Sequence, residues 1–161
     1  MSIIKSFQKP GSKTIKQSGF SLLEVLITLV ILAIGLLGLA GLQTTGLKQN
    51  QSAYLRSQAA QMSYDIADRM RANMSALSSY ETTNPATATA ATSGCTTAPC
   101  TKAQMASNDL YEWNKTLVDT LPSGTATISL SGGIYSISIT WDDDHDGNSG
   151  NNPTFLLTFK P

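Results

Sequence analysis

An acidic cluster near the C-terminus has the residue types and spacing of a metal site. It consists of Asp142, Asp144 and Asp146. With the following Gly147, the cluster matches the opening of an EF-hand calcium loop, in which carboxylate oxygens bind Ca²⁺. The match is incomplete, because Pro153 stands where the bidentate glutamate belongs and the segment is expected to join two strands. Two hypotheses follow: a calcium site completed by Asn148, Asn151 or backbone carbonyls, or a solvated connector.

A separate acidic residue, Glu24, lies inside an otherwise uncharged apolar run from Phe20 to Leu42. As an α-helix these 23 residues reach roughly 35 Å, enough to cross the hydrocarbon core of a bilayer. An acid in such a helix costs on the order of 2.5–3.5 kcal/mol at the centre and less toward an end, which marks it as a candidate functional residue. The alternative is a plain anchor whose glutamate snorkels to the interface.

The flank of the apolar run predicts its orientation. Residues 1–19 carry four lysines and no acid. Because positive flanks stay in the cytoplasm, we expect the lysines inside and residues 48–161 outside. A secretory signal peptide has a similar start, but its apolar core is shorter and is removed. The sequence therefore predicts a membrane helix that is retained.

The two cysteines, Cys95 and Cys100, lie in a segment rich in Ser, Thr and Ala at residues 79–101. This composition gives no periodic apolar face and predicts an exposed loop. Outside the cytoplasm we expect a disulfide, worth about 2 kcal/mol. The alternative, a redox or metal pair, lacks the C-x-x-C spacing and neighbouring Cys or His ligands.

Hydrophobic periodicity predicts the elements that carry these sites. In residues 48–78 an apolar stripe at helical spacing predicts an amphipathic helix: Leu55, Ala59, Met62, Ile66, Met70, Met74 and Leu77. We expect a short helix at 102–121, with Met105 and Trp113 on its apolar face, and antiparallel strands at 125–161 that bury Leu130 and Trp141. The predicted fold class is α+β, with a long N-terminal helix packed on a small antiparallel sheet.

Charge and composition exclude several functions. After residue 19 the chain has 7 basic and 11 acidic residues, a net charge of −4, and we expect no role in nucleic-acid binding. His145 is the only histidine, and we find neither a glycine-rich phosphate loop nor a hydroxyl nucleophile with an orienting base. We therefore expect no enzymatic activity.

The segment Gly19-Phe20-Ser21-Leu22-Leu23-Glu24 resembles the class III signal of type IV prepilins and type II secretion pseudopilins. The resemblance implies the pilin fold and divides the chain into a leader (1–19), a transmembrane and assembly half of the first helix (20–47) and a periplasmic head (48–161). It further implies that a membrane prepilin peptidase cuts between Gly19 and Phe20 and methylates the new amine. Glu24 would then meet the Phe20 amine of a neighbouring subunit.

A narrower resemblance, to minor pilins of the PilV type, lies in residues 34–40, 58–73 and 109–113. It implies a minor pilin that primes pilus assembly or forms a tip complex. Its partners would be other minor pilins, the major pilin and the inner-membrane assembly platform. Its location would be the bacterial inner membrane before assembly and the cell surface afterwards. The alternatives are a type II secretion pseudopilin and a membrane-anchored calcium-binding or adhesive module.

Overall fold

The computed structural model describes residues 19–85, 95 and 99–161. The described elements are helix α1 (Leu22–Ala72), a 3₁₀ helix (Met74–Tyr80), helix α2 (Lys102–Thr120) and strands β1 (Thr125–Ser131), β2 (Ile134–Thr140) and β3 (Thr154–Phe159). The chain divides into two compact units, Met1–Thr45 and Gly46–Pro161. Most of the predicted leader and residues 86–94 and 96–98 of the predicted connector lie outside the described residues. The α+β prediction is confirmed.

In the first unit the described chain is mainly the beginning of α1. Its side chains from residue 19 to residue 44 are exposed in the isolated chain. The most apolar window of α1 has a mean hydropathy of 2.8, so by length and composition this helix could cross a membrane. Hydroxyl groups inside it are satisfied locally, since Thr28 donates to the Val25 carbonyl and Thr44 donates to the Ala40 carbonyl. Such bonds suit a helix that meets lipid.

In the second unit the predicted apolar stripe of α1 is buried from Leu55 to Met70. The α-helix ends at Ala72, however, and the expected helix over 48–78 continues as a 3₁₀ helix after Asn73. The Asn73 amide donates to the Lys102 carbonyl at 2.8 Å, a bond made from a non-helical backbone conformation. The break turns Met74 outward, where it is 58% exposed, so the prediction that it continues the stripe is wrong.

Helix α2 begins with a complete capping box. The Gln104 amide N–H donates to Thr101 Oγ1 at 3.2 Å, and the Thr101 N–H donates to Gln104 Oε1 at 2.9 Å. The buried face of α2 carries Trp113, as predicted, whereas Met105 is 38% exposed and the neighbouring Ala106 is buried. The capping box therefore fixes where this helix starts.

The three strands form one antiparallel sheet in the order β1-β2-β3. Gly132 and Gly133 alone connect β1 to β2, and their φ values of +59° and +79° are those of a tight hairpin turn that glycine adopts without strain. The connection from β2 to β3 is very different. It comprises residues 141–153 and contains the acidic cluster.

The core of the second unit is shared by α1, the 3₁₀ helix, α2 and the sheet. Both tryptophans belong to it, and the alternation predicted for β2 is observed, with Tyr135, Ile137 and Ile139 buried. Leu130 was expected to be buried by the same alternation, yet it is 42% exposed. It lies near the hairpin end of β1, where the strand extends past the core residues.

Candidate functional site

The predicted processing site lies just before α1. Gly19 and Phe20 are outside the helix, both are exposed, and a Cβ on Gly19 would meet no atom within 4 Å. Ser21 then starts the helix: its hydroxyl accepts from the Leu23 N–H at 3.3 Å and its carbonyl accepts from the Glu24 N–H at 3.0 Å. The peptide bond between Gly19 and Phe20 is therefore in irregular, accessible backbone.

Glu24 occupies the first turn of α1, where an acid interacts favourably with the free N–H groups at a helix N-terminus. It is four residues, about one turn, from Phe20. None of the ion pairs among the described residues includes Glu24. From Phe20 to Leu47 it is the only charged residue of the sequence. Glu24 therefore has no cationic partner among the described residues.

The helix surface around Glu24 is apolar and is not covered by any described residue. Phe20 is 83% exposed, and every large apolar side chain of α1 up to Leu47 is also exposed. Gly35, Gly38 and Gly41 leave the helix unbroken, and a Cβ at any of them would meet nothing within 4 Å. The observed helix is continuous through them.

A charged cluster that the sequence analysis missed connects α1 to α2. Arg69 donates from Nη1 to Asp109 Oδ1 at 3.3 Å and to Glu112 Oε2 at 3.2 Å, and from Nε to Asp65. The fully buried Tyr80 donates its hydroxyl to Asp109 Oδ2 at 2.5 Å. The four-residue spacing of Asp65 and Arg69 indicated the pair within α1, but nothing in the sequence placed α2 beside it.

The pKa values in this cluster follow from its geometry. Burial, together with the hydrogen bond to the Asp109 carboxylate, raises the pKa of Tyr80 well above its usual value. Partial burial alone would lower the pKa of Arg69, but Asp65, Glu112 and Asp109 outweigh it and the pKa is raised. Both shifts favour the neutral tyrosine and the charged arginine. The cluster therefore stabilises the contact of α1 and the 3₁₀ helix with α2.

The two cysteines form a disulfide, with their Cα atoms 5.4 Å apart. Cys100 also lines a cleft of about 380 Å³ together with Arg69, Lys102 and Met105. The bridge closes a short segment immediately before the capping box of α2. This geometry accounts for the cysteines structurally.

The structure brings the three predicted metal ligands together. One carboxylate oxygen from each of Asp142, Asp144 and Asp146 lies within 4.8 Å of the other two. Asp142 is 5% exposed, whereas the other two are exposed. His145 adopts a positive φ of 59° between them, and Gly147 one of 73°. The backbone thus turns sharply twice so that alternate side chains converge.

Hydrogen bonds inside the loop hold this arrangement. The Gly147 N–H donates to Asp142 Oδ2 at 3.1 Å, and the Asn151 amide donates to Asp144 at 3.3 Å and to Asp146 at 2.9 Å. The bond from the Asn148 N–H, followed by the bond from Asn151, lowers the pKa of Asp146. The Asp146 carboxylate is therefore held in its charged form.

Two models of known protein families match this chain. Residues 41–111 match the family model of the Tt1218-like proteins, described as type IV pilin Tt1218. Residues 15–40 match the model of the prokaryotic N-terminal methylation motif. Neither a search of curated proteins nor a search of solved structures gave a significant match. The two models cover the apolar N-terminal segment and the region from the middle of α1 into α2.

Proposed function

Because this chain belongs to the type IV pilin family, we propose that it is a minor pilin that joins other minor pilins to start a pilus or form its tip. The family is structural and non-enzymatic. The methylation motif implies processing by prepilin peptidase and assembly with other pilins in a membrane machinery, and the apolar helix fits anchoring in the inner membrane before assembly. The minor role and the tip position are the proposed part.

One observation supports the proposal above the others: Glu24 is the only charge between Phe20 and Leu47, on an apolar helix surface that no described residue covers. Such a surface must be covered by lipid or by other helices. Glu24, near the start of this helix, makes the surface specific for some neighbouring helices over others. Only a neighbour that places a cation next to Glu24 offsets the free-energy cost of burying its carboxylate.

Cleavage at the Gly19–Phe20 bond would create that cation. Two opposite charges about 4 Å apart attract by roughly 4 kcal/mol at an effective dielectric of 20, compared with roughly 2.5–3.5 kcal/mol for placing the acid at the centre of a membrane. We propose that Glu24 pairs with the Phe20 amine of a neighbouring subunit and so sets the axial register of the incoming helix. The net gain is modest, which suits a contact that must first form in lipid and then persist in a fibre.

The test is mass spectrometry of the mature N-terminus in sheared pili and in membranes, for the wild type and Glu24→Gln. We expect wild-type chains to begin at N-methylated Phe20 in both fractions. We expect Glu24→Gln to be processed but to fall about two- to tenfold in pili, since a net gain of roughly 0.5–1.5 kcal/mol corresponds to a change of that size. Glu81→Gln makes the same chemical change on an exposed residue of the second unit and should leave incorporation unchanged.

The outcomes separate the parts of the proposal. Recovery of only full-length chains starting at Met1 would refute processing and, with it, the pilin role; it would favour a membrane-anchored module. Processed Glu24→Gln incorporated at wild-type levels would refute the pairing alone. A type II secretion pseudopilin has the same N-terminal signal. Deletion should therefore reduce the number of pili and leave protein secretion intact if the chain is a minor pilin, and have the opposite effect if it is a pseudopilin.

A further inference from the structure

The loop joining β2 to β3 contains an acidic cluster with a buried, unpartnered oxygen. We propose that this loop, residues 141–153, binds one Ca²⁺ ion through Asp142, Asp144 and Asp146. The three carboxylates come from alternate positions of one short segment, and one oxygen of each lies within 4.8 Å of the others. The argument depends on the second unit alone.

Asp142 provides the observation that points to a ligand. Its side chain is 95% buried, and Oδ2 accepts from the Gly147 N–H, whereas Oδ1 has no hydrogen-bond partner among the described residues. A buried carboxylate oxygen without a partner is costly, and native proteins almost always satisfy such an atom. The same carboxyl group faces Asp144 and Asp146. A cation that the Asp142 carboxyl group binds through both oxygens, together with Asp144 and Asp146, would satisfy the orphaned oxygen.

The backbone at Asp142 is fixed from two sides. Its N–H donates to the Pro122 carbonyl at 2.9 Å, and the N–H of the buried Trp141 donates to the Pro153 carbonyl at 3.3 Å. The backbone is therefore held at the base of the Asp142 side chain, which keeps its carboxyl group beside Asp144 and Asp146.

Distances and donor types favour calcium. Ca²⁺ binds oxygen at roughly 2.3–2.6 Å, so two of its ligands are separated by at most about 5 Å. The observed limit of 4.8 Å satisfies this condition. All converging atoms are carboxylate oxygens, which hard cations prefer, and the flexible coordination number of Ca²⁺ lets backbone carbonyls and water complete the shell. Asn152 Oδ1 is a further buried oxygen of this loop without a partner in the described chain.

The negative charge of the cluster is not compensated by an ion pair: Lys48 lines a cavity together with Asp144 but forms no ion pair with it among the described residues. No ion pair in the described part of the chain includes any of the three aspartates. In the same sheet only two glycines connect β1 to β2, whereas the connection from β2 to β3 has 13 residues. Connections of about that length without secondary structure are uncommon, and ordered ones are often binding loops.

The test is calorimetric titration of CaCl₂ into the full-length chain in detergent, after treatment with a chelator. We expect one ion per chain with a Kd on the order of 10⁻⁴–10⁻³ M, as in extracellular calcium modules. Asp146→Asn should weaken binding at least tenfold and, because this side chain is exposed, should not prevent folding. Asp142→Asn should abolish binding.

Asp143→Asn is the matched control, because it removes the same charge from the same loop outside the cluster. An asparagine there keeps an oxygen that can accept from Trp141 Nε1, as Asp143 Oδ1 does at 3.2 Å. Its calcium affinity should stay within about twofold of the wild type. Circular dichroism of each variant checks folding, and MgCl₂ should bind at least tenfold more weakly.

Absence of binding up to 10 mM CaCl₂ in a folded wild-type chain would overturn the proposal. Equal weakening by Asp143→Asn and Asp146→Asn would also overturn it, since it would mean that general negative charge attracts the ion. Equal affinity for Mg²⁺ would refute the assignment to calcium. None of these results depends on whether the chain is incorporated into pili, so this inference and the proposed function can fail separately.

Discussion

Replacing Asp109 by asparagine should lower the free energy of unfolding of the second unit by about 1.5 kcal/mol. The Asp109 side chain is 14% exposed and accepts from Tyr80 at 2.5 Å and from Arg69 at 3.3 Å. Hydrogen bonds to charged groups contribute roughly 1.5–3 kcal/mol and neutral ones roughly 0.5–1.5, so the bond from Tyr80 should lose about 1 kcal/mol. Loss of the partly exposed ion pair adds roughly 0.2–1 kcal/mol, since Arg69 keeps two other acids.

The assay is urea unfolding of the full chain in a mild detergent, followed by tryptophan fluorescence, which reports on Trp113 in the same helix. Asp119→Asn is the matched control: it makes the same change on an exposed residue of α2 and should stay within about 0.5 kcal/mol of the wild type. A double-mutant cycle with Tyr80→Phe should give a coupling of about 1 kcal/mol. A loss below 0.5 kcal/mol for Asp109→Asn, or an equal loss for the control, would refute the reasoning.

Two further predictions concern the same unit. Because the pKa of Tyr80 is raised on folding, its contribution to stability is complete below pH 10 and is lost as the pH rises above that value, at up to about 1.4 kcal/mol per pH unit. In urea titrations at increasing pH, the free energy of unfolding of Tyr80→Phe should therefore fall less steeply than that of the wild type. Identical slopes would contradict the burial of the hydroxyl. Replacing both Cys95 and Cys100 by serine should lower the free energy of unfolding by about 2 kcal/mol, because the disulfide closes a loop of about six residues. The variant should have a lower urea midpoint than the wild type, and dithiothreitol should not lower the variant's midpoint further. An unchanged midpoint would mean that the loop is already ordered in the unfolded chain.

The sequence predicted the elements well where one periodicity dominates. The apolar stripe from Leu55 to Met70 and the alternation in β2 each follow a single period over several turns or pairs, and both are buried as expected. Errors occurred at element ends. Met74, Met105 and Leu130 fit their patterns by spacing but are exposed, and they lie beside the break after α1, the capping box of α2 and the hairpin end of β1. Local hydrogen bonds decide such positions, and periodicity does not encode them.

The candidate sites were predictable to different degrees. The acidic cluster could be read from the sequence, because alternate aspartates before a glycine are a local pattern. The burial of Asp142 could not, since it depends on the distant Pro122 carbonyl. The contact of Arg69 with Asp109 joins residues 40 positions apart and has no local signature. Contacts between elements depend on how the helices pack, which a single sequence does not specify.

The attachment of α2 to α1 has a mechanical consequence. The Trp113 indole N–H donates to the Met62 carbonyl at 2.9 Å, and Arg69, seven residues further along α1, contacts Asp109 and Glu112. These two contacts are about 10 Å apart along the helix axis, at 1.5 Å per residue. One contact would let α2 rotate about it, whereas two separated contacts resist both rotation and sliding of α2 on α1. Tension applied along α1 would therefore load both contacts in shear, and α2 would separate from α1 only when both break.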